Sequence, residues 1–107
     1  MSDKNLIAQT ILNQLGGHRF TVMTGAKEYV ALPNGLRFKI GRNQTATNMV
    51  CVEYDAKQDL YNLIFENVSV SRKTFDVTRK LIEKIDGVDA KDLQNVFTKV
   101  TGLATSL

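Results

Sequence analysis

Cysteine and histidine are almost missing from this sequence, which contains one of each, Cys51 and His18. A single cysteine cannot form an intramolecular disulfide, and disulfide frameworks are what stabilise small secreted domains. One cysteine and one histidine also fall short of the ligand set of a structural zinc site. The sequence therefore predicts a protein of a reducing, intracellular compartment that holds no metal.

Long apolar runs are absent too. No stretch approaches the roughly 20 apolar residues that a helix needs to cross a bilayer. The first four residues, Met-Ser-Asp-Lys, show neither the basic region nor the apolar region of a secretory signal. We therefore expect no membrane association and a cytoplasmic location.

The sequence patterns that accompany catalysis are also missing. There is no G-x-S-x-G nucleophile elbow, and Gly16-Gly17 follows a predicted helix, whereas a phosphate-binding loop precedes one. Cys51 lies between two valines, where we expect a small structural residue, and His18 is expected at a surface turn or next to a helix end. The aspartates near 55–59 and 86–92 lack the spacing of a calcium loop. The sequence predicts no enzymatic activity and no cofactor.

What is present is typical of a globular protein. Hydrophobic residues make up 43% of the 107 residues and there is one proline, which predicts a single folded domain over residues 1–107. The net charge of +3 is unevenly distributed. Residues 1–50 hold six basic residues against two acids, while residues 51–107 hold eight against nine. The excess of positive charge in the first half points to an anionic partner.

The hydrophobic pattern predicts an α+β fold with two layers. A helix over 3–15 is followed by a four- to five-stranded antiparallel meander, then by two C-terminal helices. The predicted strands are 19–23, 28–32, 36–40, 49–54 and 60–66, with a tight turn at Pro33-Asn34-Gly35. The predicted C-terminal helices are 71–85 and one carrying Leu93, Val96, Phe97 and Val100.

Basic residues alternate with apolar ones in the predicted sheet. Alternation places Arg37 and Lys39 on the outer face, and Arg19 joins them if the neighbouring Phe20 points inward. Lys27 and Arg42 lie in flanking loops. The predicted contacts to nucleic acid or another anionic partner are therefore Arg19, Lys27, Arg37, Lys39 and Arg42.

Aromatic residues do not support this face as a platform for stacked bases. The period-two pattern assigns all of the aromatics in the predicted strands to the core, namely Phe20, Phe38, Tyr54, Tyr61 and Phe65. The basic face is therefore expected to contact phosphates and not to stack on bases.

Apolar residues also fall on the predicted outer face. Met23, Met49 and Ile64 alternate away from the core, together with Cys51. Methionine adapts to irregular surfaces, so these residues suit a protein partner or a homodimer. Packing beneath a loop or the C-terminal tail explains them equally well, and the sequence favours neither interpretation.

Several strings in the sequence suggest a family. They are L-G-G-x-x-F-x-x-M-T-G-A-K from Leu15, N-G-L-x-F-K-I-G-R-N from Asn34, an N-x-V pair from Asn48, D-L-Y-N-x-x-F from Asp59 and T-G-L-x-T-S-L from Thr101. With these strings the chain resembles a family of small proteins encoded by bacteriophages and other mobile genetic elements. The resemblance spans nearly the whole chain, and it implies an origin without implying a particular activity.

Two roles fit a small basic protein of that origin. One is to bind nucleic acid during phage replication or transfer. The other is to dock on a host protein, such as a component of a defence system, and to inhibit it. Phosphate-driven binding weakens steeply with salt, whereas docking through an apolar face does not. A self-associating scaffold is a third possibility.

Overall fold

The computed structural model describes residues 3–105. Two helices come first, α1 (Asp3–Leu15) and α2 (Gly17–Thr24). Five strands follow, β1 (Lys27–Leu32), β2 (Gly35–Lys39), β3 (Met49–Asp55), β4 (Leu60–Val70) and β5 (Val77–Val88). One 3-10 turn, Ala90–Asp92, leads into α3 (Leu93–Thr101). The first two residues and the end of the T-G-L-x-T-S-L string, residues 106–107, lie outside the described residues.

The strands form one sheet in the order β1-β2-β3-β4-β5, with every neighbouring pair antiparallel. The turn predicted at Pro33-Asn34 closes the first hairpin, where Leu32 pairs with Gly35. Gly35 is required there, because a Cβ added to it would overlap the carbonyl oxygen of Val52 on β3. The predicted α+β fold with a four- to five-stranded antiparallel meander is confirmed, and the number of strands is five.

The helices cover one face of the sheet, which we call the inner face; the opposite one is the outer face. Phe20 of α2 makes edge-on ring contacts with Phe38 of β2 at 5.5 Å and with Phe97 of α3 at 5.0 Å. Phe65 and Tyr61 of β4 are buried in the same core. Of the aromatics predicted to be buried, Tyr54 alone is only partly covered; it packs against the core from the edge.

The predicted strand over residues 19–23 is wrong, since these residues belong to helix α2. Phe20 and Thr24, one helical turn apart, are both buried, so a helix puts both on the core side. Gly16 (φ 125°) separates the two helices, and Gly25 (φ 69°) ends α2 by donating its N–H to the carbonyl of Thr21. Tertiary packing here overrides the strand preference of Phe, Thr and Val.

The predicted helix over residues 71–85 is wrong as well. Residues 77–88 form β5, which pairs with β4 as the sheet edge, and a short loop precedes it. One of two irregularities in this pairing makes Ile82 an extra residue opposite Phe65 and Glu66, so Ile82 and Ile85, three residues apart, are both on the core side, as in a helix. The bulged strand therefore mimics a helical hydrophobic stripe. The remaining predicted C-terminal helix is present as α3, with Leu93 and Phe97 fully buried.

Candidate nucleic-acid interface

The β4–β5 hairpin extends beyond the rest of the sheet. Strand β3 pairs with β4 only from Leu60 to Glu66, whereas the pairing of β4 with β5 continues to Val70 and Val77. We call residues 67–81, which contain this extension, the arm. Every residue from 69 to 81 is exposed. The arm is thus a two-stranded ribbon that contributes little to the core.

Two asparagines hold the base of the arm. The Asn48 side chain donates to the carbonyl of Val68 at 2.8 Å and accepts from the N–H of Val68 at 2.7 Å. Asn67 donates its side-chain N–H to the carbonyl of Ala46 at 2.7 Å. These bonds substitute for the strand pairing that β3 no longer supplies, so they fix the direction in which the arm leaves the sheet.

The loop at the tip of the arm is closed by its own hydrogen bonds. The Ser71 N–H donates to the carbonyl of Asp76 at 2.9 Å, and the Phe75 N–H donates to the carbonyl of Ser71 at 2.8 Å. The Ser71 hydroxyl accepts from the backbone N–H groups of Lys73 and Thr74, both at 3.3 Å. A hydroxyl that caps a turn in this way holds the backbone in one conformation.

The arm carries the whole net charge of the protein. It holds four basic residues and one acid, while the rest of the chain holds ten of each. The charged residues of the arm are Arg72, Lys73, Asp76, Arg79 and Lys80. Of these, Arg79 makes an ion pair of 3.4 Å with Glu66 at the base. The arm is therefore a local region of positive potential on an otherwise balanced molecule.

Three of the predicted anion-binding residues do lie together on the outer face of the sheet. Lys27 begins β1 and is not in a flanking loop as predicted; it is paired with Lys39 of β2, and Arg37 is next along β2 on the same face. Acidic residues accompany them. Glu28 makes an ion pair of 3.0 Å with Lys39, and the outer face of β3 and β4 adds Glu53 and Glu66. Asp55 of β3 and Lys84 of β5 also fall on this face, so four acids and four bases leave it without excess positive charge.

The other two predicted residues lie elsewhere. Arg19 is exposed on α2, in the helical layer, because residues 19–23 are not a strand. Arg42 is exposed in the loop that follows β2. Asn43 organises this loop, since its side chain donates to the carbonyls of Gly41 and Thr47 at 2.9 and 2.6 Å. The structure thus divides the predicted basic set among three places.

The predicted apolar interface is divided in the same way. Met49 and Ile64 lie half-buried on the outer face, on either side of Cys51, which pairs with Ile64 across β3 and β4. Met23 lies on α2, so it does not share their surface. Burial, together with the Glu53 carboxylate, raises the pKa of the Cys51 thiol from 9.0 to about 11. A free thiol with this pKa stays protonated at neutral pH.

The residues that sequence patterns missed are those of the arm, above all Arg72, Lys73 and Phe75. The signal for a strand was present, because β-branched residues are frequent from Val68 through Val88. Exposed cations on a predicted helix suggest only a solvated face, whereas the same cations on a projecting ribbon form a distinct surface.

The described residues offer no metal site and no membrane-spanning helix. Within residues 3–105, no group of three or more His, Cys, Asp or Glu side chains is arranged to hold a metal ion. No helix in that part of the chain is both long and apolar enough to cross a bilayer. Comparison of the chain with protein-family models, with curated proteins and with solved structures finds no match to any of them.

Proposed function

We propose that the protein binds nucleic acid through the arm, as a non-catalytic accessory protein of a bacteriophage or mobile element that acts in the bacterial cytoplasm. The observation that carries this proposal is the charge distribution: the arm, residues 67–81, holds the net charge of +3 while the rest of the chain is neutral. Each phosphate that a protein cation neutralises releases counterions, and this release favours binding. A cationic surface that projects away from acidic neighbours can therefore bind a polyanion without repulsion from carboxylates.

The shape of the arm supports the same function. A two-stranded β-ribbon fits within the grooves of a nucleic-acid duplex, where its side chains contact phosphates on both strands. Arg72 and Lys73 are exposed in the loop at the tip of the ribbon, and Lys80 is exposed at its base. The outer face of the sheet is less suited to binding nucleic acid, because the carboxylates of Glu28, Glu53 and Glu66 would repel phosphates there.

Two triple variants with the same loss of charge test where binding occurs. Fluorescence polarisation of labelled duplex DNA, single-stranded DNA and RNA is measured over a range of salt concentrations. The first variant combines Arg72→Ala, Lys73→Ala and Lys80→Ala in the arm. The second is the matched control and combines substitutions in three residues of the outer face, Lys27→Ala, Arg37→Ala and Lys39→Ala.

We expect the arm variant to lose most of its affinity at low salt. Its slope of log affinity against log salt should fall by about 2 to 3, roughly one for each lost phosphate contact. The outer-face variant should keep a slope near that of the wild type. Equal losses in both variants would contradict the assignment to the arm. No salt-dependent binding to any of the three nucleic acids would contradict the function itself.

Docking on a host protein is the second candidate. The observation in its favour is the row of exposed apolar residues along the arm, which includes Val70, Val77 and Leu81. Contiguous exposed apolar surface is typical of protein interfaces. Binding to a host protein that persists at high salt, and is lost on Leu81→Ser but kept in the arm charge variant, would favour this candidate.

A further inference from the structure

Phe75 is the most unexpected residue of the arm. It lies in the loop at the tip with 76% of its surface exposed. Its backbone has φ 61°, in the left-handed region that glycine and asparagine occupy readily and bulky residues avoid. Neither burial nor backbone conformation therefore accounts for a phenylalanine at this position. Such a residue is best explained by a contact with a ligand.

The surroundings of Phe75 indicate what kind of ligand it contacts. Arg72 and Lys73 share its loop, and the hydrogen bonds of Ser71 fix the three side chains on one short segment. An exposed ring that shares a short loop with two cations suits a nucleobase, which offers a π-face for stacking beside a negatively charged phosphate backbone. The two cations would not strengthen binding to a purely aliphatic partner.

The number of exposed aromatic residues indicates whether the arm binds a single strand or a duplex. Platforms for single strands stack successive bases on several rings. Among the described residues, Phe75 is the one exposed phenylalanine or tyrosine; the others are buried or half-buried. One apolar side chain at the end of a basic ribbon instead matches proteins that insert a wedge between two base pairs and bend the duplex.

The length of the arm agrees with insertion into a groove. Four residue pairs, from Asn67 with Lys80 to Val70 with Val77, lie beyond the paired part of β3. At about 3.4 Å per residue they span roughly 14 Å before the loop is added. The major groove is about 8.5 Å deep and the minor groove about 7.5 Å. The tip can therefore reach the base pairs while the sheet stays outside the duplex.

We infer that the arm binds double-stranded nucleic acid as a bending ribbon, with Phe75 as the wedge that unstacks one base step. This inference rests on the proposed function and adds the class of nucleic acid and the manner of binding to it. The energetic cost of unstacking is smallest at flexible pyrimidine–purine steps, so a wedge confers a preference for TA steps over stiff A-tracts without any base-specific hydrogen bond.

The test uses two short duplexes that differ only at their centre, one with TA steps and one with an A-tract. Each carries a fluorophore pair at its ends, so that bending raises energy transfer. Wild-type protein is compared with Phe75→Gly and Phe75→Trp. Polarisation on the same duplexes and on single strands measures affinity, and thermal unfolding of each variant measures stability.

We expect the wild-type protein to bend the TA duplex and to prefer it over the A-tract. Phe75→Gly should bind about tenfold more weakly, lose both the bending and the preference, and melt at the same or a higher temperature, because glycine accepts the backbone conformation at no cost. Phe75→Trp should retain bending. A lower melting temperature in Phe75→Gly would assign Phe75 a structural role and overturn the inference.

The remaining outcomes distinguish the inference from the function beneath it. Duplex binding with the same bending in wild type and Phe75→Gly would overturn the wedge and leave the nucleic-acid function standing. Tighter binding to single strands than to both duplexes would overturn the duplex assignment. Failure of the wild-type protein to bind any nucleic acid would overturn the proposed function, and the inference with it.

Discussion

The chemical behaviour of a side chain in this protein depends on which face of the sheet it lies on and on how far its neighbours cover it. Cys51 illustrates this, since it lies on the outer face but remains partly covered by its neighbours on β2 and β4. Its thiol approaches the Glu53 carboxylate at 3.9 Å, which disfavours the thiolate further. The nearby Arg37 acts in the opposite direction but does not outweigh burial. Cys51 therefore behaves as a small apolar residue.

The raised pKa of Cys51 predicts slow chemical modification. At pH 8 a shift from 9.0 to about 11 lowers the thiolate fraction by about a hundredfold. Because a more basic thiolate is also more nucleophilic, we expect iodoacetamide to alkylate native Cys51 at least about tenfold more slowly than the denatured chain. The rate of mass increase, with and without denaturant, measures this. Equal rates in both states would mean that the thiol is accessible and ionised like a free cysteine.

The same shift has a consequence for stability. The folded pKa of Cys51 lies above the unfolded value, so its contribution is fully present below pH 9 and is lost as the pH rises through about 11. Burial also raises the pKa of Tyr29 and Tyr61, which act in the same direction at higher pH. The free energy of unfolding is therefore expected to decline in alkaline solution, and Cys51→Ala should reduce the first part of that decline.

At the scale of elements, the arm and the rest of the sheet are energetically separate. Residues 69–81 are all exposed, while the core is formed by the paired part of the sheet and the helices. Projecting elements of this kind are kept in place by their base, which here means the bonds of Asn48 and Asn67. Binding and folding should therefore be separable by shortening the hairpin.

Removal of the distal arm is expected to leave the fold intact. Residues 69–78 are replaced by Asn-Gly, which closes a two-residue hairpin between the paired residues Val68 and Arg79. Since the deleted residues are exposed, we expect the free energy of unfolding to change by less than about 1 kcal/mol. Denaturant unfolding checks this, and polarisation should show that binding to duplex DNA is lost. Unfolding of the shortened protein would show that the arm is part of the folded unit.

How far the sequence predicts these elements depends on local patterns. The turn at Pro33-Asn34 and the stripe of α3 are encoded within a few residues, and both predictions are confirmed. Strand β5 was missed although β-branched residues are frequent in it, because its irregular pairing gives Ile82 and Ile85 the spacing of a helix. The positions of the cations relative to one another depend on β5 and on α2. Because both elements were predicted wrongly, the grouping of the cations was predicted wrongly too.

The whole molecule is electrically bipolar along β4. The arm at the end of β4 is basic, whereas residues 53–59 and 86–92, which meet near its start where Tyr61 pairs with Val88, hold six acids and two lysines. Such a distribution orients the molecule as it approaches a polyanion, with the arm in front and the acidic end behind. The effect of removing a single charge on the affinity for DNA should therefore depend on where that charge lies.

Two isosteric substitutions test this with the same change of charge. Asp76→Asn removes an acid from the arm and Asp86→Asn removes one from the acidic end. At 0.1 M salt, where screening acts over about 10 Å, we expect Asp76→Asn to tighten DNA binding roughly threefold and Asp86→Asn to have no measurable effect. Polarisation titrations measure both. Equal gains would show that net charge and not the arm determines affinity.

The meander also determines the order in which the chain can fold. Each strand pairs with the next one along the chain, so the whole sheet, including the ribbon of β4 and β5, can form by closing short loops. The contact that joins the two ends of the chain is different. Gln94 on α3 donates to the carbonyl of Leu15 at the end of α1, and this bond spans 79 residues. Closing so long a loop is slow, so the binding ribbon can be complete before the helices at the two ends of the chain meet.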